Sequence, residues 1–263
     1  MTDSSNSRLA EIVALSRLVA EPHRDLVILA EGNTSLRTGP DRMIVKTTGS
    51  AMATAGEDDF VEVDLQPLWA LIDSDRDGDQ AVAEVFRTSV RNGSGRPSVE
   101  ALLHAVCQRL DGVDAVIHTH PTPVNAVLCS DQAEQLIHGA LFPDQIVVLG
   151  RRPLFVPYVD PGLPLAREVA RLLSDYLDEY KEWPRAIYLQ NHGLFALGSS
   201  VEAAVRVTNM AVKHSQVLLG AGSIGRPVFL SSEQADRIDT RPDELLRRHI
   251  LEQPLEARLR PIG

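Results

Sequence analysis

The pattern of apolar and polar positions along the chain predicts a mixed α/β fold. Apolar residues at three-to-four spacing predict helices over residues 8–20, 98–110, 163–180 and 201–219. Short apolar runs that end in polar or glycine-bearing loops predict strands between the helices. These runs cover residues 26–30, 43–46, 115–118, 146–149, 154–156, 186–190 and 194–198.

The length and composition are sufficient for one large domain. The chain has 263 residues, of which 44% are hydrophobic and 24% are charged, enough to bury a sizeable core. We assign residues 1–224 to a single α/β domain. Residues 225–263 form a polar C-terminal tail with a helical pattern near residues 243–251, which we expect to pack on the same domain or on a neighbouring subunit.

Charge and sequence signals exclude several classes of protein. The formal net charge of −10 argues against a nucleic-acid partner, because binding to a phosphate backbone needs a basic surface. No run of about eighteen apolar residues predicts a membrane span, and no signal-peptide pattern is found, so we expect a cytoplasmic location. Cys107 and Cys129 are too few for a disulfide framework, and Cys107 is expected to be a reduced, buried thiol.

The candidate chemistry centres on His118-Thr119-His120 at the end of a predicted strand. Alternate residues of a strand point to the same face, so the two imidazoles can approach one point. A catalytic zinc ion commonly takes three protein ligands and keeps an open position for water or substrate. Glu100 and the distant His192 are the candidates to complete the site. The alternative for Glu100 is an acidic residue in a first helical turn, where the helix dipole favours it without any further role.

Two polar loops that contain glycine follow the predicted strands 26–30 and 43–46. Their sequences are Glu31-Gly32-Asn33-Thr34-Ser35 and Thr47-Thr48-Gly49-Ser50. Such loops offer backbone N–H groups and hydroxyls to an oxyanion, because glycine lets the backbone approach closely. The alternative is two ordinary turns, since these residue types are also common in turns.

An acidic segment over residues 73–84 matches the pattern of an EF-hand calcium loop. Residues 73–78, together with Glu84, supply the oxygen ligands and the glycine of the motif. Against a calcium site, Gln80 occupies a position where an apolar residue usually pairs with a second loop, and the sequence has no second loop. A solvated connection between two helices is the favoured interpretation.

Five stretches together resemble the class II aldolase/adducin family. They occur in the family's order and at about its spacings, over residues 8–220, and the set is specific although each stretch alone is weak. The stretches are Glu31-Gly32-Asn33-Thr34-Ser35, Lys46-Thr47-Thr48-Gly49, Pro97-Ser98-Val99-Glu100, His118-Thr119-His120 and Asn191-His192-Gly193-Leu194.

The resemblance implies a three-layer α/β/α domain around a central, mostly antiparallel sheet, assembled as a homotetramer with active sites at subunit interfaces. It implies a divalent metal, normally Zn²⁺ with Mn²⁺ or another transition metal as alternatives, held by the residues that match His118, His120 and His192. Glu100 matches a residue that is a metal ligand in the resting enzyme or the acid/base once substrate displaces it. The residues that match the substrate phosphate pocket are Gly32, Asn33, Thr48, Gly49 and Ser98.

The activity that the resemblance implies is that of a metal-dependent aldehyde-lyase in carbohydrate metabolism. Such an enzyme cleaves a carbon–carbon bond of a sugar phosphate or a related hydroxy-keto compound through a metal-stabilised enediolate. The alternatives are a decarboxylase or dehydratase of the same fold, or a binding module of the adducin type without metal. The last is disfavoured because adducin heads lack the full set of metal ligands.

Two positions depart from the family pattern. Val99 stands where fucose-type aldolases have a second serine, and Gly139 stands where they have a tyrosine that donates a proton in the neighbouring subunit's site. The resemblance therefore leaves two features unassigned: whether the pocket binds a phosphate, and which residue is the second proton donor. His138 and Tyr158 are the candidates to replace the tyrosine. We interpret the remaining histidines as structural, namely His23, His104, His214 and His249.

Overall fold

The computed structural model describes residues 3–252, in which helices cover both faces of one sheet. The strands are β1 (Asn33–Gly39), β2 (Arg42–Lys46), β3 (Phe60–Asp64), β4 (Val90–Asn92), β5 (Ala115–Thr119), β6 (Leu154–Val156), β7 (Ala186–Leu189) and β8 (Gly193–Gly198). The helices in this range are α1 (Asp3–Val19), α2 (Leu65–Ile72), α3 (Asp79–Ser89), α4 (Ala101–Cys107), α5 (Thr122–Leu128), α6 (Gln135–His138), α7 (Pro143–Leu149), α8 (Leu163–Tyr180), α9 (Val201–Ile224), α10 (Ser232–Thr240) and α11 (Pro242–Glu252).

The sheet has eight strands in the order β4-β3-β2-β1-β5-β8-β7-β6. Every neighbouring pair is antiparallel except β6 and β7, which are parallel. Short connections favour antiparallel neighbours, whereas a parallel pair needs a crossover, here supplied by α8. The predicted α/β fold with a central, mostly antiparallel sheet is confirmed.

Alternate residues of β5 pack against different helical layers. Val116 belongs to a core cluster with α2, α3, α4 and α8, whereas Ala115 and Ile117 belong to a second cluster with α1, α5 and α9. This is the period-two alternation of a strand that is buried on both faces. His118 lies two residues after Val116 and so points to the side of the sheet that carries α4.

Two predicted strands are wrong. Residues 26–30 form an irregular segment, since Leu29 adopts a left-handed backbone conformation and is 86% exposed, and strand pairing begins only at Asn33. Residues 146–149 are the end of α7, which begins at Pro143, a residue favoured in a first helical turn. A short apolar run has the same appearance in a buried strand and in a buried helix, which explains the second error.

The C-terminal tail packs on the same chain over its described part. Ala235 and Ile238 of α10 form a small cluster with Ala140 and Ile146. The backbone N–H of Leu230 donates to the carbonyl of Ala140 at 2.8 Å. Residues 253–263 of the predicted tail lie outside the described residues.

The acidic segment at residues 73–84 is a connection up to Gly78 and the first part of α3 beyond it, and its side chains pair with arginines. Its carboxylates do not converge, since three of them face three different guanidinium groups. The pairs are Asp73–Arg109 (2.7 Å), Asp77–Arg167 (3.7 Å) and Glu84–Arg76 (2.6 Å). This arrangement agrees with the favoured interpretation as a solvated connection.

Cys107 is a free thiol buried in α4, as expected from the sequence, and burial raises its pKa to about 12.

Membrane-spanning helices are not found in the described part of the chain. Within residues 3–252, no helix combines the length and the apolar character needed to cross a bilayer.

Candidate metal centre

The end of β5 brings two imidazoles into contact. His118 is fully buried on the strand, and His120 follows it just beyond the strand's end. Their Nε2 atoms are 3.0 Å apart. The structure therefore places His118 and His120 at one point, as the spacing in the sequence predicts.

The outer nitrogen of each ring is held by an acceptor. The Nδ1 atom of His118 lies 3.0 Å from the carbonyl oxygen of Leu194, and that of His120 lies 3.0 Å from a carboxylate oxygen of Glu31. Both acceptors require Nδ1 to carry the proton, so each ring in its neutral form presents the lone pair of Nε2 to the other. Two lone pairs at this separation repel each other unless a cation lies beside them.

Glu100 and His192 complete the cluster from two other elements. Glu100 occupies the N-cap position of α4, and His192 lies in the turn between β7 and β8. Glu100 Oε1 lies 2.9 Å from His192 Nε2 and 3.1 Å from His118 Nε2. The predicted helix 98–110 is thus shorter than expected, since α4 covers only Ala101–Cys107, and the Ser98 hydroxyl accepts the backbone N–H of Glu100 at 3.4 Å.

The charge states of the cluster suit a cation. Burial alone would raise the pKa of Glu100, but the charge and hydrogen bonds of His118 and His192 in their protonated forms outweigh this effect and hold the pKa well below its usual range, so the group is a carboxylate. Burial and the neighbouring His118 lower the pKa of His120, although Glu31 opposes them. Neutral imidazoles and an ionised carboxylate are the forms that bind metals.

The arrangement fits a divalent transition metal. One ligand atom from each of Glu100, His118, His120 and His192 lies within 4.8 Å of the others. His118 is buried, whereas the side chains of Glu100, His192 and His120 are 13%, 14% and 20% exposed, so one side of the cluster is open. Three imidazoles with a carboxylate and one accessible side are typical of a catalytic site.

Gly193 makes room for the histidines. A Cβ atom at this position would lie 2.6 Å from His120 Cδ2, 2.7 Å from the carbonyl oxygen of Thr119 and 3.3 Å from His118 Cε1. The first two separations are far shorter than a normal contact. Any side chain at position 193 must therefore displace the His120 ring and the backbone of Thr119.

We expect Gly193→Ala to lower the affinity for Zn²⁺ by about 10- to 100-fold, because small displacements of metal ligands are costly. The measurement is competition with a chromophoric chelator. Gly220→Ala is the matched control, since the same methyl group at this position in α9 meets nothing within 4 Å. Equal affinities of the two variants would contradict the close packing of Gly193 against the ligands.

The residues predicted for the phosphate pocket lie on three adjacent segments. The Lys46 ammonium, which is buried, donates to the carbonyl oxygens of Ala30 and Ser50 at 3.4 and 2.6 Å. The backbone N–H of Ser98 donates to the carbonyl of Lys46 at 3.1 Å, and that of Thr48 donates to the carbonyl of Arg96 at 2.9 Å. Residues 33–35 of the first predicted loop are the start of β1, so only residues 31–32 are a turn. Lys46 therefore links the segment before β1 to the loop after β2, a role that the sequence did not predict.

The predicted pocket residues differ in exposure. Asn33 and Ser98 are buried beside Glu100, whereas Thr48 and Gly49 are exposed at the tip of their loop. Gly32 and Gly49 both have positive φ, at 70° and 81°, which favours glycine. A Cβ at Gly32 would also lie 2.9 Å from the carbonyl oxygen of His118.

The two substitutes considered for the missing tyrosine lie in ordinary surroundings. The ring of His138 contacts Phe229 with centroids 4.9 Å apart. The hydroxyl of Tyr158 donates to Asp160 Oδ1 at 3.1 Å, and the residue is exposed. A Cβ at Gly139 would lie 3.4 Å from the ring of Phe229, which packs beside this glycine.

Two residues near the cluster were missed in the sequence. Glu31 holds His120, and His104, which we interpreted as structural, is joined to the site through Asn33. The position of His104 four residues after Glu100, on the same helix face, was the available signal. His214 is also buried but has no hydrogen-bond partner among residues 3–252, and the side chain of His249 lies outside the described residues.

One protein-family profile matches most of this chain. The profile described as "Class II Aldolase and Adducin N-terminal domain" matches residues 10–219. An "L-fuculose phosphate aldolase" from Methanococcus maripaludis is 24% identical over 214 residues, which cover 80% of this chain and 94% of that protein. A "3-oxo-tetronate 4-phosphate decarboxylase" from Haemophilus influenzae is 26% identical over 202 residues, which cover 76% of this chain and 80% of that protein.

A longer relative and a solved structure are also similar. The "Uncharacterized oxidoreductase YuxG" of Bacillus subtilis is 26% identical over 215 residues, which are 78% of this chain but only 29% of that protein. The N-terminal class II aldolase domain of a conserved protein from Thermoplasma acidophilum superimposes with a TM-score of 0.64 at 27% identity, over 80% of this chain and 93% of that one.

Proposed function

Since the chain belongs to the class II aldolase and adducin N-terminal domain family, we propose that it is a metal-dependent lyase of the aldolase type. Its substrate is a sugar phosphate or a related hydroxy-keto compound, in which it cleaves a carbon–carbon bond. The observation that carries this proposal is the convergence of three imidazoles and one carboxylate on an accessible point. A binding module without metal has no need of these ligands.

His118, His120 and His192 would hold the metal, with Glu100 as the fourth ligand or as the group that substrate displaces. A bound divalent cation would act as a Lewis acid that stabilises the negative charge developing on the substrate oxygens. Zn²⁺ is the preferred ion, and Mn²⁺ or another transition metal suits the same ligands.

Glu100 is proposed as the group that moves the proton. Its Oε1 atom faces the cluster, and its Oε2 atom accepts a hydrogen bond from Asn33 Nδ2 at 2.5 Å. A carboxylate so placed removes the proton from the substrate hydroxyl as the bond breaks and delivers it to the carbon that is left. The depressed pKa favours the ionised form that begins this cycle.

Gly32, Asn33, Thr48, Gly49 and Ser98 are proposed to bind the substrate phosphate. Backbone N–H groups beside Gly32 and Gly49 and the hydroxyls of Thr48 and Ser98 are the donors that such an anion requires. Val99 adds no hydroxyl, and its side chain is exposed. Substrates with a carboxylate in place of the phosphate therefore belong in the same assay.

Decarboxylation is a second candidate reaction. Among the described residues, Gly139 leaves the site without the tyrosine of fucose-type aldolases, Glu100 is the one acid among the four candidate ligands, and the Glu31 carboxylate is engaged by His120. Release of CO₂ from a 3-keto acid requires no proton to be taken from a hydroxyl, so one acid/base group is sufficient. The similarity to a relative named as a decarboxylase favours including this reaction.

We also propose a cytoplasmic homotetramer with sites at subunit interfaces. Apolar residues that are close in sequence to the site residues are exposed: Ile28 and Leu29 precede Glu31, and Val99 precedes Glu100. Exposed apolar side chains are a common feature of subunit contacts.

Product analysis with the metal-loaded protein tests the proposed reaction. Ketose phosphates and 3-keto acids are incubated with the Zn²⁺ form, and aldehyde and CO₂ are measured in parallel. We expect aldehyde release that stops on chelation and returns with Zn²⁺. Release of CO₂ alone would assign the decarboxylase reaction, and neither product from a panel of both classes would contradict the lyase proposal.

A further inference from the structure

A line of buried hydrogen bonds runs from α4 across β1 to Glu100. Gln108 Nε2 lies 3.4 Å from Ser35 Oγ, and Ser35 Oγ lies 2.7 Å from His104 Nδ1. His104 Nε2 is hydrogen-bonded to Asn33 Oδ1, and Asn33 Nδ2 donates to Glu100 Oε2 at 2.5 Å. Gln108, Ser35 and His104 are fully buried, so each group depends on the next for its hydrogen bond.

The hydrogen bonds at the two ends of this line determine which group donates in each bond between them. At one end, Gln108 Nε2 also donates to the carbonyl oxygen of Asp114 at 3.3 Å, which fixes its amide with the N–H groups toward Ser35. At the other end, the carboxylate of Glu100 accepts hydrogen bonds only. The Ser35 hydroxyl must then donate to His104 Nδ1, and His104 must donate from Nε2.

The tautomer of His104 decides how the Asn33 amide is turned. With the proton on Nε2, His104 requires the oxygen of Asn33 on its side, which leaves the N–H groups of the amide for Glu100. With the proton on Nδ1, the Asn33 amide would have to turn its oxygen toward the carboxylate, where two acceptors would face each other. The geometry therefore permits one arrangement of donors and acceptors along the five groups from Gln108 to Glu100.

We propose that His104 is a positioning residue of the lyase site: as a neutral Nε2–H tautomer it orients the Asn33 amide, which anchors one oxygen of Glu100 and leaves the other for metal and substrate. This role of His104 rests on the proposed lyase function, in which Glu100 is the acid/base group. It assigns a specific duty to a histidine that touches neither metal nor substrate.

The anchoring has a direct consequence for Glu100. Oε2 is engaged by Asn33, whereas Oε1 faces His118 and His192. Without the amide, only the contacts of Oε1 with His118 and His192 would orient the carboxylate, and nothing would hold Oε2 against rotation about the terminal bond. The fixed amide thereby keeps the acid/base group in one orientation, as second-layer hydrogen bonds do for metal ligands.

Nitrogen NMR of the metal-free protein tests this arrangement of hydrogen bonds without any substrate. Two-bond ¹H–¹⁵N correlations of the His104 ring distinguish a protonated Nε2 from a protonated Nδ1. We expect a neutral ring with the proton on Nε2 at neutral pH. A proton on Nδ1, or on both nitrogens, would overturn the proposal.

Two substitutions separate positioning from mere packing. His104→Gln places an amide near the former Nε2 and retains a donor to Asn33, whereas His104→Asn reaches only toward Ser35. We expect His104→Asn to lower Zn²⁺ affinity by about 10- to 100-fold and to shift the Asn33 amide resonances. His104→Gln should stay within about threefold of the native affinity, and equal losses in both variants would contradict the positioning role.

His214→Gln is the matched control, because it changes another fully buried histidine whose two ring nitrogens have no partner among residues 3–252. It should leave Zn²⁺ affinity and the Asn33 resonances unchanged. If the native protein binds no metal, the proposed lyase function fails. The tautomer of His104 and the Asn33 resonances still decide whether His104 orients the Asn33 amide through this hydrogen bond.

Discussion

Glu100→Gln is expected to slow the lyase reaction by about 1,000-fold, because it removes the group that accepts the proton from the substrate hydroxyl. The amide is almost the same size as the carboxylate, so the fold of α4 should be retained. The measurement is kcat on the substrate that the product analysis identifies, with the metal content of each sample determined beside it.

The loss has a second source in the hydrogen bond to Asn33. This amide donates to Glu100 Oε2 in the native protein. A glutamine that turns its own N–H groups toward Asn33 would place two donors together, and one that turns its oxygen there would aim its N–H groups at the metal. Either orientation disturbs the site beyond the lost charge.

Glu62→Gln is the matched control for this variant. Glu62 lies on β3, three strands from β5 in the sheet, and accepts a hydrogen bond from the Thr38 hydroxyl at 2.7 Å. The kcat of the Glu62→Gln variant should equal that of the native protein. A Glu100→Gln enzyme that retains more than about a tenth of native kcat would exclude Glu100 as the proton carrier.

The double substitution His118→Ala/His120→Ala is expected to abolish metal binding. It leaves only Glu100 and His192 of the four ligands, and two ligands are fewer than catalytic zinc sites use. Calorimetric titration with Zn²⁺ should show no saturable uptake. Because His118 is fully buried, thermal unfolding must accompany the titration to show that the variant is folded.

His214→Ala controls for the loss of a buried imidazole. His214 is as fully buried as His118 but lies on α9 with both ring nitrogens unpartnered among residues 3–252. This variant should lose stability by about 1–3 kcal/mol through the cavity it creates and should bind Zn²⁺ as the native protein does. Zn²⁺ uptake by the folded double variant would contradict the assignment of the ligands.

The part of the site that could be predicted from the sequence is the part that depends on local geometry. His118 and His120 are two residues apart on a strand, and a strand places such residues on one face whatever the rest of the fold does. His192 comes from a distant turn, so its residue type made it a candidate ligand, and the resemblance to a family gave the reason to place it with the other two.

The parts that could not be predicted depend on contacts between distant segments. Glu31 reaches His120 because residues 26–30 form an irregular segment rather than the strand we expected, and Leu29 in the left-handed conformation has no signature in an apolar run. His104 had the appearance of an ordinary core residue. The role that we propose for it depends on the pairing of β1 with β5, which brings Asn33 opposite His118.

The helix α7 shows the limit of patterns in short segments. Four consecutive apolar residues, 146–149, suit a buried strand as well as one turn of a buried helix. Pro143 before them and Gly150 after them were the local signals for a helix, and the long helix α9 provides the surface on which it packs. Packing of this kind is absent from any local pattern.

The metal content of the native protein, purified without chelator and measured per chain by elemental analysis, tests the central claim most directly. The account predicts about one Zn²⁺ or Mn²⁺ per chain, and less than about a tenth of an ion in the folded His118→Ala/His120→Ala variant. A native protein that contains no transition metal, and takes up none on titration with Zn²⁺ or Mn²⁺, would contradict the lyase function and favour a binding module.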